Sequence, residues 1–288
     1  MHNDMKPLAN ESMVFEQSLP KAKEIWRRLY PDCNQRLWST AWQFVVRVFR
    51  DGDENVQPCD CRYHNIEHTL RASLCYVHIL EGAWRAQELP EKKIASLGLI
   101  AVLFHDTGYL KDKKDQKGTG AKHTRHHPER SARFFRDWAM TVGMNSTDLK
   151  RVEKFINITD LINETSIGNQ LLTDSENQIR YMVGSADLIG QIADPGYPFK
   201  LQDLFGEFQE ATAHDSSLKC NFPDSYEMLL RSTRGFYEHF VQELLNKEYR
   251  GICHLLKATD EPAVDFYAQS MERNIEYIDK MVTDLEQV

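Results

Sequence analysis

Apolar side chains recur along most of the chain at spacings of three and four, the period of a helix with one buried face. Leu37, Ala41, Phe44, Val45 and Val48 make such a face within 36–50. Ile66, Leu70, Leu74, Val77 and Leu80 make another, and Asn65 stands where an N-cap would satisfy the first free amides. Ile94 to Phe104 (IASLGLIAVLF) is apolar on nearly all sides, which predicts a helix buried in the middle of the domain. Glycine and lysine dominate a predicted loop over 108–122, and Pro128 reads as the first-turn proline of a helix through Met140. Further helices are predicted near 146–160, 176–193, 198–213, 224–248 and 262–285. No run of alternating β-branched residues points to a sheet. The predicted fold is all-α, a helical bundle with an N-terminal helical extension over 1–60 packed on a domain spanning 61–288.

Composition narrows the class of protein. With 288 residues, 41% hydrophobic and 27% charged, the chain reads as an ordinary globular protein with ample material for a core. No apolar run approaches the roughly 20 residues that span a bilayer. Met1 to Asn10 lacks the basic-then-apolar pattern of a secretory signal, and six cysteines (33, 59, 61, 75, 220, 253) show no framework spacing. Reduced thiols in a cytoplasmic protein are the expectation. A net charge of −8 argues against nucleic acid as the main partner, and no membrane partner is expected. One stretch departs from that average: Lys111 to Arg136 holds nine Lys/Arg against three Asp/Glu. It is either a solvated loop and helix face, or a basic rim on which Lys122, Arg125 and Arg130 meet a phosphorylated substrate.

Seven of the eleven histidines lie between positions 64 and 127, and His64, His68, His105, His126 and His127 stand in informative contexts. In Tyr63-His64-Asn65-Ile66-Glu67-His68, a helix beginning near Asn65 puts His64 and His68 four apart, so both rings can point to one side. The alternative is a pair of surface histidines. In Phe104-His105-Asp106-Thr107-Gly108, a buried helix runs into two adjacent ionisable groups, and burying these unpaired costs several kcal/mol. A closed hydrogen-bond network or a divalent cation would compensate, and imidazole with carboxylate suits the cation. Asp187 raises the same question from within Gly184-Ser185-Ala186-Asp187-Leu188, with a structural hydrogen bond as its alternative. In His126-His127-Pro128-Glu129, His127 is a candidate ligand and Glu129 a candidate holder of a water or an imidazole; the alternative is exposed histidines beside a first-turn acid. Cys59-Asp60-Cys61 is a poor zinc signal without a second pair.

Taken in order, His68, His105-Asp106 and Asp187 resemble the signature of the HD superfamily of metal-dependent phosphohydrolases. The likeness extends to the catalytic domains of class I cyclic-nucleotide phosphodiesterases. Their YHNxxH motif is similar to Tyr63–His68, their paired histidines to His126-His127, their ATD segment to Ile158-Thr159-Asp160 and their ADL segment to Ala186-Asp187-Leu188. The resemblance covers about residues 60–195. It implies an all-helical fold with a central metal pocket, in which His68, His105, Asp106 and Asp187 hold one ion and Asp106 bridges to a second. His64 would be the general acid, His127 a ligand of the second ion, and Glu129 and Asp160 supports behind the ligands. Thr107-Gly108-Tyr109 departs from both the phosphodiesterases and the bacterial HD-GYP type, which usually has lysine after that glycine.

The expected activity is hydrolysis of a phosphoester, either a phosphodiester or a nucleotide phosphate. Two divalent ions (Mg, Mn, Fe or Zn) would activate the water, and His64 would protonate the leaving oxygen. Two alternatives stand beside it: an HD-fold di-iron oxygenase, and a metal- or nucleotide-binding sensor without turnover. The C-terminal helices offer a surface for a homodimer.

Overall fold

The computed structural model describes residues 11–31, 34–162, 172–257 and 265–286. Residues 1–10, Cys33 and the predicted helix start at 262 lie outside the described residues. Within them the chain is an all-α helical bundle of ten α-helices, and the only pairing of extended chain is one bridge between Val56 and Asp112. In chain order the helices are α1 (Glu11–Leu29), α2 (Arg36–Asp51), α3 (Ile66–Arg85), α4 (Lys92–Phe104), α5 (His127–Thr141), α6 (Ser146–Ile156), α7 (Asp174–Ile192), α8 (Tyr197–His214), α9 (Tyr226–Phe236) and α10 (Phe266–Leu285).

Two helices form the centre. Every residue of α3 from Ile66 to Ala83 is buried, and so is every residue of α4 from Ile94 to Phe104 except Ser96. Helix α3 packs against α7, α1 and α4, while α4 meets α7, α6 and α2. Trp26, Trp38 and Trp42 of α1 and α2 belong to the same continuous core as the α3 and α4 side chains. The start of α3 is set as the sequence predicts: Asn65 accepts from the amides of Glu67 and His68. Pro128 sits in the first turn of α5. Thr173 and Glu176 form a reciprocal capping box at the start of α7.

A helix buried all round must also settle its polar side chains. Glu67 accepts from Arg71 (Nε, 2.9 Å) and from Lys200 (Nζ, 2.6 Å), and Asp194 pairs with Arg71 (3.3 Å) and with Lys200 (2.8 Å). Two acids and two bases balance, so the charge beside the core is compensated and α3 is tied to the start of α8. The approach of α3 to α7 needs Gly190, because a Cβ there would stand 2.8 Å from the Ala72 Cα. One turn back along both helices, that contact brings Asp187 against His68.

Two predicted helices differ in detail. The α-helix over 146–160 stops at Ile156 and tightens into a 3₁₀ turn over Asn157–Thr159. The single helix over 224–248 ends its regular winding at Phe236. It continues as wider π turns over Tyr237–Val241 and Leu244–Glu248, where Gln242 donates to the Tyr237 carbonyl and Tyr249 to that of Leu244. Both changes lie beside the cavity described next. The loop over 108–122 is tethered: Lys111 pairs with Asp60 (2.7 Å), and Asp60 also accepts from the Gly120 amide (2.8 Å). No helix among the described residues is long and apolar enough to cross a membrane.

Candidate metal centre

Four side chains from three places in the chain meet beside α3. His68 stands one turn into α3, His105 closes α4, Asp106 follows it, and Asp187 comes from α7. The His68 Nε2 atom lies 3.1 Å from His105 Nε2, 3.2 Å from Asp106 Oδ2 and 3.1 Å from Asp187 Oδ1. His105 Nε2 lies 3.2 Å from Asp106 Oδ2 and 3.3 Å from Asp187 Oδ1. Donors around one first-row divalent ion, with bonds of about 2.1 Å, stand roughly 3.0–3.4 Å apart. His68, His105 and Asp187 therefore form a group that could hold a metal ion.

The donor chemistry fits as well. His105 Nδ1 lies 2.7 Å from the Val102 carbonyl, so it carries the proton of a neutral ring and Nε2 presents a lone pair. Asp106 Oδ2 is buried with no hydrogen-bond partner among the described residues, although two imidazole nitrogens stand close. Lone pairs and anionic oxygens thus face one another, and only protons or a cation can reconcile them. With protons alone, burial acts against the charge on His68 but Asp106 and Asp187 outweigh it, raising that ring to about 9. Burial is likewise outweighed at His105, which is also raised, while Asp106 and Asp187 are driven well below the usual carboxylate range by the two imidazoles.

His127 approaches the other oxygen of Asp106, with Nε2 3.8 Å from Oδ1. Its Nδ1 lies 2.7 Å from the Thr124 carbonyl, so Nε2 again points inward as the lone-pair nitrogen. Burial lowers its pKa. The Thr107–Tyr109 turn holds this arrangement. Gly108 passes so close to the start of α5 that a Cβ would stand 2.0 Å from the His127 carbonyl, and the Ser131 hydroxyl bridges the Gly108 amide and the His105 carbonyl.

His64 lies beside the group with its ring T-shaped to His68. Its Nδ1 is 2.6 Å from Glu207 Oε2, and the other oxygen of Glu207 accepts from the Tyr63 amide (2.7 Å). Glu207 is a residue the sequence reading missed. Tyr109 is buried and sandwiched between two imidazoles, stacked on His64 at 4.5 Å and on His127 at 4.6 Å between centroids. A cavity of about 710 Å³ opens from His64, His68, Asp106, His127 and Asp187 towards α8 and α9.

Other sequence candidates fall elsewhere. The expected basic rim is not assembled at the cavity, because its cations are engaged within the fold. Arg130 donates to the carbonyls of Gly108 (2.7 Å) and Leu110 (2.8 Å), Lys122 pairs with Asp115 (2.6 Å), and Arg125 bonds the Ser217 hydroxyl. None of the three lines the cavity. Glu129 is not behind a ligand either: its side chain is 78% exposed and its partner is His126 at the surface, 3.7 Å away. Asp160 accepts from the Ile162 amide (3.2 Å) and shapes the turn from which Thr159, Leu161 and Ile162 reach the cavity. Of the CxC pair, Cys61 is buried, and no zinc-ligand group forms around it among the described residues.

Fold and site together define an all-helical protein with a buried histidine–aspartate group able to hold a metal ion. The chain belongs to the Npun_R2479-like family, whose model matches residues 9–262. A comparison with the curated proteins finds no match.

Proposed function

We propose that the protein is a metal-dependent phosphohydrolase of the HD type, cleaving a phosphoester with water. One observation carries this reading: the convergence of His68, His105, Asp106 and Asp187 on a common point, with donor separations of 3.1–3.3 Å wherever an imidazole nitrogen is one partner. Mg, Mn, Fe or Zn held there would supply Lewis acidity, acidifying water and offsetting charge on phosphoryl oxygens. His127 and the second oxygen of Asp106 are the residues that would take part in holding a second ion.

The chain's own groups do the rest. Glu207 keeps a proton on His64 Nδ1, so Nε2 is the nitrogen that exchanges a proton with the leaving oxygen. Stacking on Tyr109 keeps the His64 ring in that orientation. The apolar walls of the cavity exclude bulk water and strengthen the electrostatics at its polar end. A cytoplasmic setting belongs to the reading and agrees with the five described cysteines, all free thiols.

The test is a phosphoester panel with each metal in turn, including bis(p-nitrophenyl) phosphate, run on wild type and His64→Ala. Hydrolysis that depends on metal and falls about 10²–10⁴-fold in the variant supports the reading. Metal binding without turnover by either protein would instead favour a sensor. A second enzymatic reading, oxygenation by irons held in the same residues, is favoured by the absence of Lys and Arg from the described cavity lining. Oxygen consumption by the iron-loaded protein separates it from hydrolysis.

A further inference from the structure

The cavity leading to the ligand group is unlike a nucleotide site in three respects. First, no described residue that lines it is Lys or Arg, although the chain holds 35 of them. A ligand with several phosphates would find no protein cation along the walls. Second, the serine and threonine hydroxyls on the walls already donate within their own turns, which leaves Gln191, Asn221, Tyr109 and Tyr197 as the other uncharged polar side chains of the described lining. Thr124 donates to the Ala121 carbonyl (2.6 Å), Thr159 to that of Ile156 (2.9 Å), and Ser232 and Thr233 both to that of Leu229 (3.1 and 2.8 Å). A ribose or base edge placed against them would lose its bonds to water and gain few in return.

Third, most of the remaining described lining is apolar and aromatic. Phe208 and Phe222 lie face to face at 4.1 Å and 7° between rings. Phe236 and Phe240, on α9 and its π continuation, stack at 5.1 Å and remain 42% and 41% exposed while lining the cavity. Leu201 and Leu204 of α8 add to the apolar wall. Charge and metal-ligating capacity sit at one end, mainly hydrocarbon along the rest, and the volume of about 710 Å³ matches that of a small-molecule pocket.

We infer that the substrate is amphiphilic: one phosphoryl group on a lipophilic alcohol, its alkyl or aryl body lying along the Phe208–Phe222 and Phe236–Phe240 pairs. This rests on the hydrolase reading for the phosphoryl end; the apolar body rests on the cavity alone. Hydrolysis of such an ester breaks the bond between phosphorus and the alcohol oxygen. Water supplies a hydroxyl to phosphorus and a proton to the departing alcohol, so no oxidant or reductant enters.

Calorimetric titration of the metal-loaded protein tests it, using ethyl-, hexyl- and decylphosphonate below their micelle concentrations. These carry a C–P bond in place of the ester, so binding is read without turnover. The methylene-phosphonate analogue of AMP is the comparator. A buried methylene favours binding by about 4-fold, so Kd should fall by at least about 100-fold from ethyl to decyl even with partial burial. The AMP analogue should bind no better than the hexyl ligand. Phe236→Ser and Phe240→Ser alter half-exposed positions, so the fold tolerates them, and each should reduce the gain per methylene.

An affinity that does not change with chain length, or an AMP analogue that binds better than decylphosphonate, overturns the inference even if short esters are hydrolysed. A steep chain-length dependence with no ester hydrolysed in the metal panel leaves the apolar cavity established and sinks the hydrolase reading instead.

Discussion

His64 Nδ1 and Glu207 Oε2 lie 2.6 Å apart, joining two residues 143 positions distant in the chain. The contact gives a histidine at the start of α3 a fixed orientation and a defined protonated nitrogen. Glu207→Gln retains an oxygen that can accept from the Tyr63 amide but removes the carboxylate from the imidazole. On the proposed hydrolase reading, kcat should be at least about 10-fold lower, by analogy with lost supports of metal-site histidines. KM should change by less than about 3-fold, because the ground-state contacts to substrate persist. Steady-state kinetics and a melting curve within a few degrees of wild type would check both halves.

Tyr109 should act through its ring more than its hydroxyl. It fills the space between the His64 and His127 rings. Tyr109→Phe keeps both stacks and should cost about 1 kcal/mol. Tyr109→Ala opens a cavity and should cost about 3–5 kcal/mol, with a clear loss of activity. Equal stabilities for the two variants in urea titrations would refute the stacking role.

Two glycines offer a paired test of local packing. A Cβ at Gly108 would meet the His127 carbonyl at 2.0 Å, whereas one at Gly206, on the exposed face of α8, meets nothing within 4 Å. Gly108→Ala should destabilise by about 1–3 kcal/mol and displace His127 from Asp106. Gly206→Ala should stabilise by roughly 0.5–1 kcal/mol. Chemical denaturation of both variants gives the comparison.

Acid stability has a separate, structural source at the start of α7. Burial raises the pKa of Glu176, but the Thr173 amide and the Arg151 guanidinium outweigh it and hold the carboxyl below its ordinary 4.5. A depressed carboxylate contributes stability above its unfolded pKa and loses it as pH falls through the folded one. Glu176→Gln should therefore cost about 1 kcal/mol at pH 7 and progressively less as pH falls below 4.5. A cost independent of pH would contradict this assignment.

The helices were legible because their signals are local: the periodic face of α3, the cap at Asn65 and the proline opening α5 are all read within a few residues. His68, His105, Asp106 and Asp187 stood out because ionisable groups among buried apolar residues need an explanation. Glu207 left a weaker trace. It lies on the buried face of α8 with Leu204 and Ala211, three and four positions away, but only the tertiary contact reveals its partner. The segment around Lys122, Arg125 and Arg130 shows the reverse error. Local charge says nothing about direction, and those side chains turn to carbonyls and acids of their own surroundings. The π turns after Phe236 were also hidden, since a wider winding keeps the same broad apolar spacing.

Metal stoichiometry is the most direct test of the central claim. Wild type and the single variants His68→Ala, His105→Ala and Asp187→Ala would be purified, dialysed against substoichiometric chelator, and measured by inductively coupled plasma mass spectrometry, with circular dichroism to verify helical content. The account predicts at least one divalent metal ion per wild-type chain and its loss from each variant that retains the helical spectrum. A wild-type protein that takes up no metal when offered Mg, Mn, Fe or Zn, or variants that keep full occupancy, would contradict it.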